Sequence, residues 1–157
     1  MKAIFISDAH LKKSSDGRYI KLIAFFNDLK AGKISSLVHG EDKDSKAVLI
    51  DDLFVAGDLF DFWFCRKNNI YPDFKIIIDK LVELKNAGIR IHLFEGNHDF
   101  FMKEYFQDVL GMDVFEDGVA FKLDGKNIYV SHGDTADKTN KIYMLSLIHI
   151  SEPTRPY

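Results

Sequence analysis

The sequence lacks several features that would assign it to a common class of protein. It has one cysteine among 157 residues, which excludes an intramolecular disulfide framework and a zinc site built from several cysteines. No apolar run approaches the roughly 18 residues of a membrane span, and the chain turns polar at Ser7, too early for a signal peptide. The formal net charge of −3 gives no general sign of nucleic-acid binding. These absences favour a cytoplasmic protein with an ordinary hydrophobic core.

An alternation of short apolar runs and amphipathic stretches is typical of a layered α/β domain. Apolar runs predict strands at Lys2–Ile6, Leu53–Ala56 and Ile89–Phe94, and a hairpin with its turn at Asp124-Gly125 joins residues 119–123 to 127–131. Helical spacing of apolar residues predicts helices around 19–29 and 74–84 and a shorter one over 101–110. The polar residues 39–46 are predicted to form an exposed loop.

The end of the chain departs from this pattern. Residues 145–155 resemble the in-frame translation of a transposase adapter used in sequencing libraries. The predicted boundary therefore leaves residues 1–144 as the N-terminal part of a single domain and residues 145–157 as a non-native tail, so His149 is not a candidate ligand. The alternative is a native tail interrupted by Pro153 and Pro156.

Four polar clusters each follow directly after an apolar strand. They are Ser7–His10, Gly57–Asp61, Gly96–Asp99 and Ser131–Asp134. If the four strands share one sheet, their carboxyl ends meet at one edge, and open α/β sheets bind ligands at that edge. We therefore expect the four clusters to converge on one site.

The residue types in these clusters favour metal chemistry. Carboxylate, amide and imidazole donors without a thiolate suit Mn²⁺ or Fe²⁺, with Zn²⁺ as another option. Two carboxylates from separate strands can serve two metal ions, one of them as a bridge, which is the arrangement of two-metal hydrolases. The candidate ligands are Asp8, His10, Asp58, Asn97 and His132.

These residues carry a resemblance to a known family that spans nearly all of residues 1–144. Asp8-x-His10, Gly57-Asp58, Gly96-Asn97-His98-Asp99 and His132-Gly133-Asp134 resemble, in order, the motifs of the calcineurin-like metallophosphoesterases. The resemblance implies a four-layer α/β/β/α sandwich with two facing sheets. It also implies two divalent metal ions, most simply manganese, that activate the water attacking phosphorus.

The resemblance assigns a role to each motif residue. Asp8 and His10 would hold the first metal, Asn97 and His132 the second, and Asp58 would bridge them. His98 would be catalytic, by protonating the leaving oxygen or gripping the phosphate, with Asp99 orienting it. The family's further Gly-x-His-x-His motif does not occur between His132 and Met144. This fragment is therefore expected to bind metals poorly and to be inactive.

A closer resemblance narrows the substrate. The stretches Gly57–Trp63, Gly96–Phe100 and His132–Thr135 are similar to those of the UDP-2,3-diacylglucosamine hydrolases. That similarity implies cleavage of a pyrophosphate to UMP and 2,3-diacylglucosamine 1-phosphate in lipid A synthesis, at the cytoplasmic face of the inner membrane. It also implies substrate contacts by Asn97, His98 and Asn140.

Two other functions stay open. One is a different phosphodiesterase or a nuclease on the same fold, which the negative net charge opposes because phosphate contacts need lysine and arginine. The other is a non-catalytic interaction module, which the intact set of candidate ligands opposes. The sequence carries no signal of oligomeric state.

The remaining polar and aromatic residues allow more than one interpretation. Asp61 is predicted to cap a helix or to brace a ligand. His39 and His92 are predicted to be solvated or structural, and Cys65 to be an ordinary thiol. The aromatic residues beside the motifs predict either core packing or an apolar groove for acyl chains or a membrane surface; they are Phe60, Phe62, Trp63, Phe64, Phe100 and Phe101.

Overall fold

The computed structural model describes residues 2–33, 47–66 and 69–134. Asn140, His39, and the proposed boundary and tail after Met144 lie outside the described residues. The described elements in chain order are β1 (Ala3–Ile6), α1 (Gly17–Lys30), β2 (Asp52–Ala56), α2 (Pro72–Asn86), β3 (Arg90–Phe94), α3 (Lys103–Phe106), β4 (Asp113–Phe115), β5 (Val119–Leu123) and β6 (Lys126–Val130).

The first four strands form a parallel sheet in the order β1-β2-β3-β4. The central strand β2 is almost wholly buried, as expected for a parallel strand covered on both faces. Helices α1 and α2 cover one face, where Phe26 and Leu29 of α1 and Leu81 of α2 join Leu53 and Leu93 in one core cluster. The predicted helical periodicity is confirmed, because its apolar positions are the ones that this core buries.

A second sheet covers the opposite face. Strands β5 and β6 form the predicted antiparallel hairpin, with positive φ at Asp124 and Gly125, as a tight hairpin turn requires. Its Leu123 and Val130 pack against Phe54 and Phe94 of the parallel sheet. The described residues therefore build a helix layer, a parallel sheet and a two-stranded second sheet, which confirms the predicted α/β class and is consistent with the metallophosphoesterase fold. Among these residues, no helix is long and apolar enough to cross a membrane.

Two predicted elements differ from those observed. The helix expected over 101–110 is a single turn, Lys103–Phe106, followed by turns through Leu110. The strand β4, which the sequence did not predict, pairs with β3 through only three residues of each strand. A strand of three residues is too short for its periodicity to be recognised, and it forms because the edge of β3 offers free backbone groups.

Candidate metal centre

Backbone hydrogen bonds join the loop after β1 to the loop after β2. The amide of Asp8 donates to the carbonyl of Gly57 at 3.1 Å, and that of His10 donates to the carbonyl of Asp58 at 2.9 Å. Asp8, His10 and Asp58 have φ values of 55°, 46° and 52°, in the left-handed region that few residues other than glycine adopt. Strained backbone of this kind persists where the surrounding structure enforces it, and it concentrates at functional sites.

Asp58 lies at the centre of the site and is buried. Its Oδ2 lies 3.5 Å from Nε2 of His10 and 3.5 Å from Nε2 of His132. Its Oδ1 accepts a hydrogen bond of 3.1 Å from the amide of His98. One carboxylate oxygen thus stands between two imidazole nitrogens that come from different sheets, which is where a ligand shared by two ions would stand.

His132 reaches this carboxylate from the second sheet. It follows β6, and its Nδ1 lies 3.0 Å from the carbonyl oxygen of Ala56 at the end of β2. Because a carbonyl can only accept, Nδ1 carries a hydrogen, and in the neutral ring Nε2 has the lone pair that a metal ion would need. The idea that all four clusters follow strands of one sheet is therefore wrong for His132, although its cluster still converges on the site because the two sheets face each other.

Two glycines make room for the site. A Cβ on Gly57 would lie 2.3 Å from Nδ1 of His132, and a Cβ on Gly96 would lie 2.2 Å from Oδ1 of Asp58. Real Cβ atoms do not approach other heavy atoms so closely. The glycines that begin these two motifs, Gly57 and Gly96, are therefore required by the close approach of a candidate ligand.

His98 is oriented by the backbone of Asp61. Its Nδ1 lies 2.6 Å from the carbonyl oxygen of Asp61, so Nδ1 donates and Nε2 is the nitrogen left for chemistry. The ring packs edge-on against that of His10, with 4.9 Å between the ring centroids. The expectation that Asp99 orients His98 is replaced by this contact. The prediction that Asp61 caps a helix or braces a ligand stays a prediction.

Asp99 instead ties the loops together. Its fully buried carboxylate accepts hydrogen bonds from the amides of Asp58 and Gly96 on Oδ1, both at 3.0 Å, and from those of Leu59 and Phe60 on Oδ2, at 2.6 and 3.3 Å. Burial raises the pKa of the Asp99 carboxyl to about 7, against the lowering effect of these N–H donors. Asp99 is thus a positioning residue that holds Asp58 through the backbone.

Replacing Asp99 with asparagine is expected to destabilise the whole protein by about 2–4 kcal/mol, because one side-chain oxygen becomes an NH₂ group and two buried backbone donors lose their acceptor. Urea denaturation measures the change in the free energy of unfolding. Asp51→Asn is the matched control, since Asp51 is exposed and accepts its hydrogen bond from the amide of Lys2 at the other end of the sheet. Equal, small effects of the two substitutions would contradict the positioning role of Asp99.

The donor set fits divalent ions. Ligand atoms of Asp8, His10 and Asp58 lie within 4.8 Å of one another, and so do those of His10, Asp61 and His98. Asn97 is half-buried on the loop that carries His98. The assignment of individual residues to a first and a second metal stays a prediction.

Sequence reasoning gave too little weight to Asp61 and did not consider Lys12. Asp61 shares a group of candidate ligands with His10 and His98, and Nζ of Lys12 lies 3.3 Å from its Oδ1. The sequence could have indicated both residues by their position, because Lys12 lies two residues after His10 and Asp61 lies three residues after Asp58. His92 is remote from these loops, buried in β3 with Nε2 2.9 Å from Asp52, which agrees with a structural role.

The aromatic residues beside the motifs divide into two sets. Phe60 and Trp63 are buried in the core, whereas Phe62, Phe64 and Phe101 are 51%, 57% and 54% exposed. The exposed set, with Phe100, lines a cavity of about 350 Å³ that also contacts the buried Cys65. Core packing is therefore confirmed for Phe60 and Trp63, and a role of the exposed aromatic residues in binding acyl chains or a membrane stays a prediction.

Comparison with known proteins gives a consistent result. The family model described as calcineurin-like phosphoesterase matches residues 1–153. A UDP-2,3-diacylglucosamine hydrolase from Porphyromonas gingivalis is 35% identical over 52% of this chain and 31% of its own length. Proteins of the same name from Aeromonas hydrophila and Nitrosococcus oceani are 30% and 26% identical over 85% and 98% of this chain. The chain spans 31%, 48% and 54% of these three relatives.

Proposed function

Because this chain belongs to the calcineurin-like phosphoesterase family, we propose that the whole protein is a two-metal hydrolase whose substrate is a lipid nucleotide with a pyrophosphate link. The proposed reaction adds water to UDP-2,3-diacylglucosamine and breaks one P–O bond of the pyrophosphate. The products are UMP and 2,3-diacylglucosamine 1-phosphate.

The observation that carries this proposal is the position of Asp58. Its Oδ2 stands 3.5 Å from the Nε2 atoms of both His10 and His132, and its backbone is held by Asp99. Asp8 would complete the side of His10, and Asn97 the side of His132. When bound, divalent ions would supply a water of lowered pKa and positive charge that offsets the charge of the transition state, and we propose manganese, with iron and zinc as the alternatives that these donors also suit.

His98 supports the departure of the leaving group. With Nδ1 held by the carbonyl of Asp61, the doubly protonated ring of His98 would carry its second proton on Nε2. That N–H would donate a hydrogen bond or its proton to the leaving oxygen, and the ring would keep the hydrogen on Nδ1. The fixed ring orientation means that little reorganisation is needed when the phosphate arrives.

The groove lined by Phe62, Phe64, Phe100 and Phe101 supports the acylated class of substrate. Its lining follows two site motifs in the sequence, since Phe62 comes directly after Asp61 and Phe100 directly after Asp99, and it also includes the charged Arg66 and Glu104. Exposed aromatic side chains also suit a peripheral contact with the cytoplasmic face of the inner membrane, from which such a substrate would be taken.

The test compares substrates in the whole protein loaded with Mn²⁺. Mass spectrometry is expected to detect UMP released from UDP-2,3-diacylglucosamine and no release after chelation of the metal. The deacylated nucleotide sugar is expected to have a KM at least about tenfold higher, because each buried CH₂ contributes about 0.8 kcal/mol. Faster turnover of single-stranded DNA would favour the nuclease instead. Metal binding without hydrolysis of either substrate would favour an interaction module.

A further inference from the structure

A lysine is attached to the candidate metal centre through Asp61. Lys12 follows Leu11, whose two backbone polar groups are both hydrogen-bonded. The amide of Leu11 donates to the carbonyl of Leu59 at 3.0 Å, and its carbonyl accepts from the amide of Asp61 at 3.1 Å. The side chain of Leu11 is buried, whereas that of Lys12 is 63% exposed. The backbone of Lys12 is therefore held at the rim of the site while its ammonium group faces solvent.

The ammonium of Lys12 and the imidazole of His98 are held by the same residue. Nζ of Lys12 lies 3.3 Å from Oδ1 of Asp61, and Nδ1 of His98 lies 2.6 Å from the carbonyl oxygen of Asp61. A substrate group that accepts a hydrogen bond from the His98 ring would therefore lie near the ammonium group of Lys12. If His98 assists the leaving oxygen, Lys12 lies on the side of the leaving group.

The ion pair between Lys12 and Asp61 can be exchanged at low cost. The two side chains are 63% and 37% exposed, and pairs so accessible to water contribute little to stability. The phosphoryl group that departs becomes a phosphate monoester with up to two negative charges, against one on the carboxylate, and lysine acts on phosphate as a flexible point charge.

We propose that Lys12 is a substrate-binding residue that selects phosphoesters carrying a second, non-reacting phosphoryl group. The inference rests on the proposed function for the identity of the reaction, and it goes further in naming the residue that distinguishes a pyrophosphate from a simple phosphodiester. The ammonium leaves Asp61 and binds the phosphoryl group that departs with its oxygen near His98.

The test measures binding rather than turnover. The whole protein, loaded with Mn²⁺ at fixed free metal, is titrated calorimetrically with methylenediphosphonate, which has two linked phosphonates and is not hydrolysed, and with methylphosphonate, which has one. Lys12→Met is expected to raise the Kd of methylenediphosphonate about tenfold, the loss of one charge-assisted contact. The Kd of methylphosphonate is expected to change less than about twofold. Lys12→Arg keeps the charge and is expected to retain most of the selectivity.

Lys13→Met is the matched control, because Lys13 is the next exposed lysine and its amide is turned to Asp16 rather than to the site. It is expected to leave both affinities unchanged. Equal changes in the two Kd values for Lys12→Met, or none, would overturn the inference. If wild-type protein releases no UMP from the lipid nucleotide but still loses selectivity with Lys12→Met, the proposed substrate fails and the role of Lys12 stands. If UMP is released but Lys12→Met binds both phosphonates like the wild type, the proposed substrate stands and the role of Lys12 fails.

Discussion

Replacing Asp58 with asparagine is expected to abolish metal-dependent hydrolysis by the whole protein. Oδ2 of Asp58 faces Nε2 of His10 and of His132 at 3.5 Å each, so the substitution removes the negative charge from the point where the two halves of the site meet. Metal ions contribute several kcal/mol of charge stabilisation to such reactions, and each 1.36 kcal/mol is a factor of ten in rate. We therefore expect kcat to fall by about a thousandfold or more, and the content of bound metal to fall with it.

The hairpin offers a matched control for this substitution. Asp124 has a φ of 51°, nearly that of Asp58 at 52°, but it lies exposed at the turn between β5 and β6. Asparagine tolerates this left-handed conformation as well as aspartate does. Asp124→Asn should therefore leave activity and metal content unchanged. Metal analysis and steady-state kinetics on the two variants separate a lost ligand from a disturbed backbone, and turnover retained by Asp58→Asn would reject the two-metal scheme.

Replacing Gly96 with alanine is expected to disrupt the site without removing any candidate ligand. The new Cβ would lie 2.2 Å from Oδ1 of Asp58 and 2.8 Å from its backbone nitrogen. The loop after β3 must then move away from Asp58, whose Oδ1 also accepts the amide of His98. Overpacking of this kind costs about 1–3 kcal/mol in stability. Displaced support of a ligand lowers metal affinity by about 10–100-fold.

Gly17→Ala is the control for this change. Neither Gly17 nor Gly96 has a φ in the left-handed region, but a Cβ on Gly17 would meet no atom within 4 Å. A change within about 0.5 kcal/mol in the free energy of unfolding is expected for this surface position. Calorimetric titration with Mn²⁺ and urea denaturation measure the two effects. Metal affinity of Gly96→Ala equal to that of Gly17→Ala would show that the two loops are not held as closely as the structure indicates.

The parts of the fold that could be predicted are those whose cause is local. Asp124-Gly125 specifies its turn because a two-residue hairpin needs positive φ at both positions. Pro72 marks the start of α2, because backbone N–H groups in the first turn have no partner within the helix and proline loses nothing by lacking one. The polar motifs could be found because each one interrupts an apolar strand at its carboxyl end.

The remaining features depend on contacts between distant parts of the chain. The sequence indicated His132 as a candidate ligand but not which sheet contains the strand before it. The apolar pattern of a strand does not specify the strand with which it pairs. Asp99 was expected to hold the adjacent His98, whereas its carboxylate faces four backbone amides that only the folded loops bring together. β4 forms by pairing with the edge of β3. Its three residues are too few to show the alternation from which a strand is predicted.

The contact between His132 and the carbonyl of Ala56 joins the hairpin to the parallel sheet beside the candidate metal centre. Asn97 follows β3 of the parallel sheet and His132 follows β6 of the hairpin, so an ion held by both would cross-link the two sheets and close the loop of chain between these residues. Contacts of such sequence separation form late in folding because their closure entropy must first be overcome. Bound ions would therefore stabilise the complete fold by mass action and leave partly folded chains unaffected.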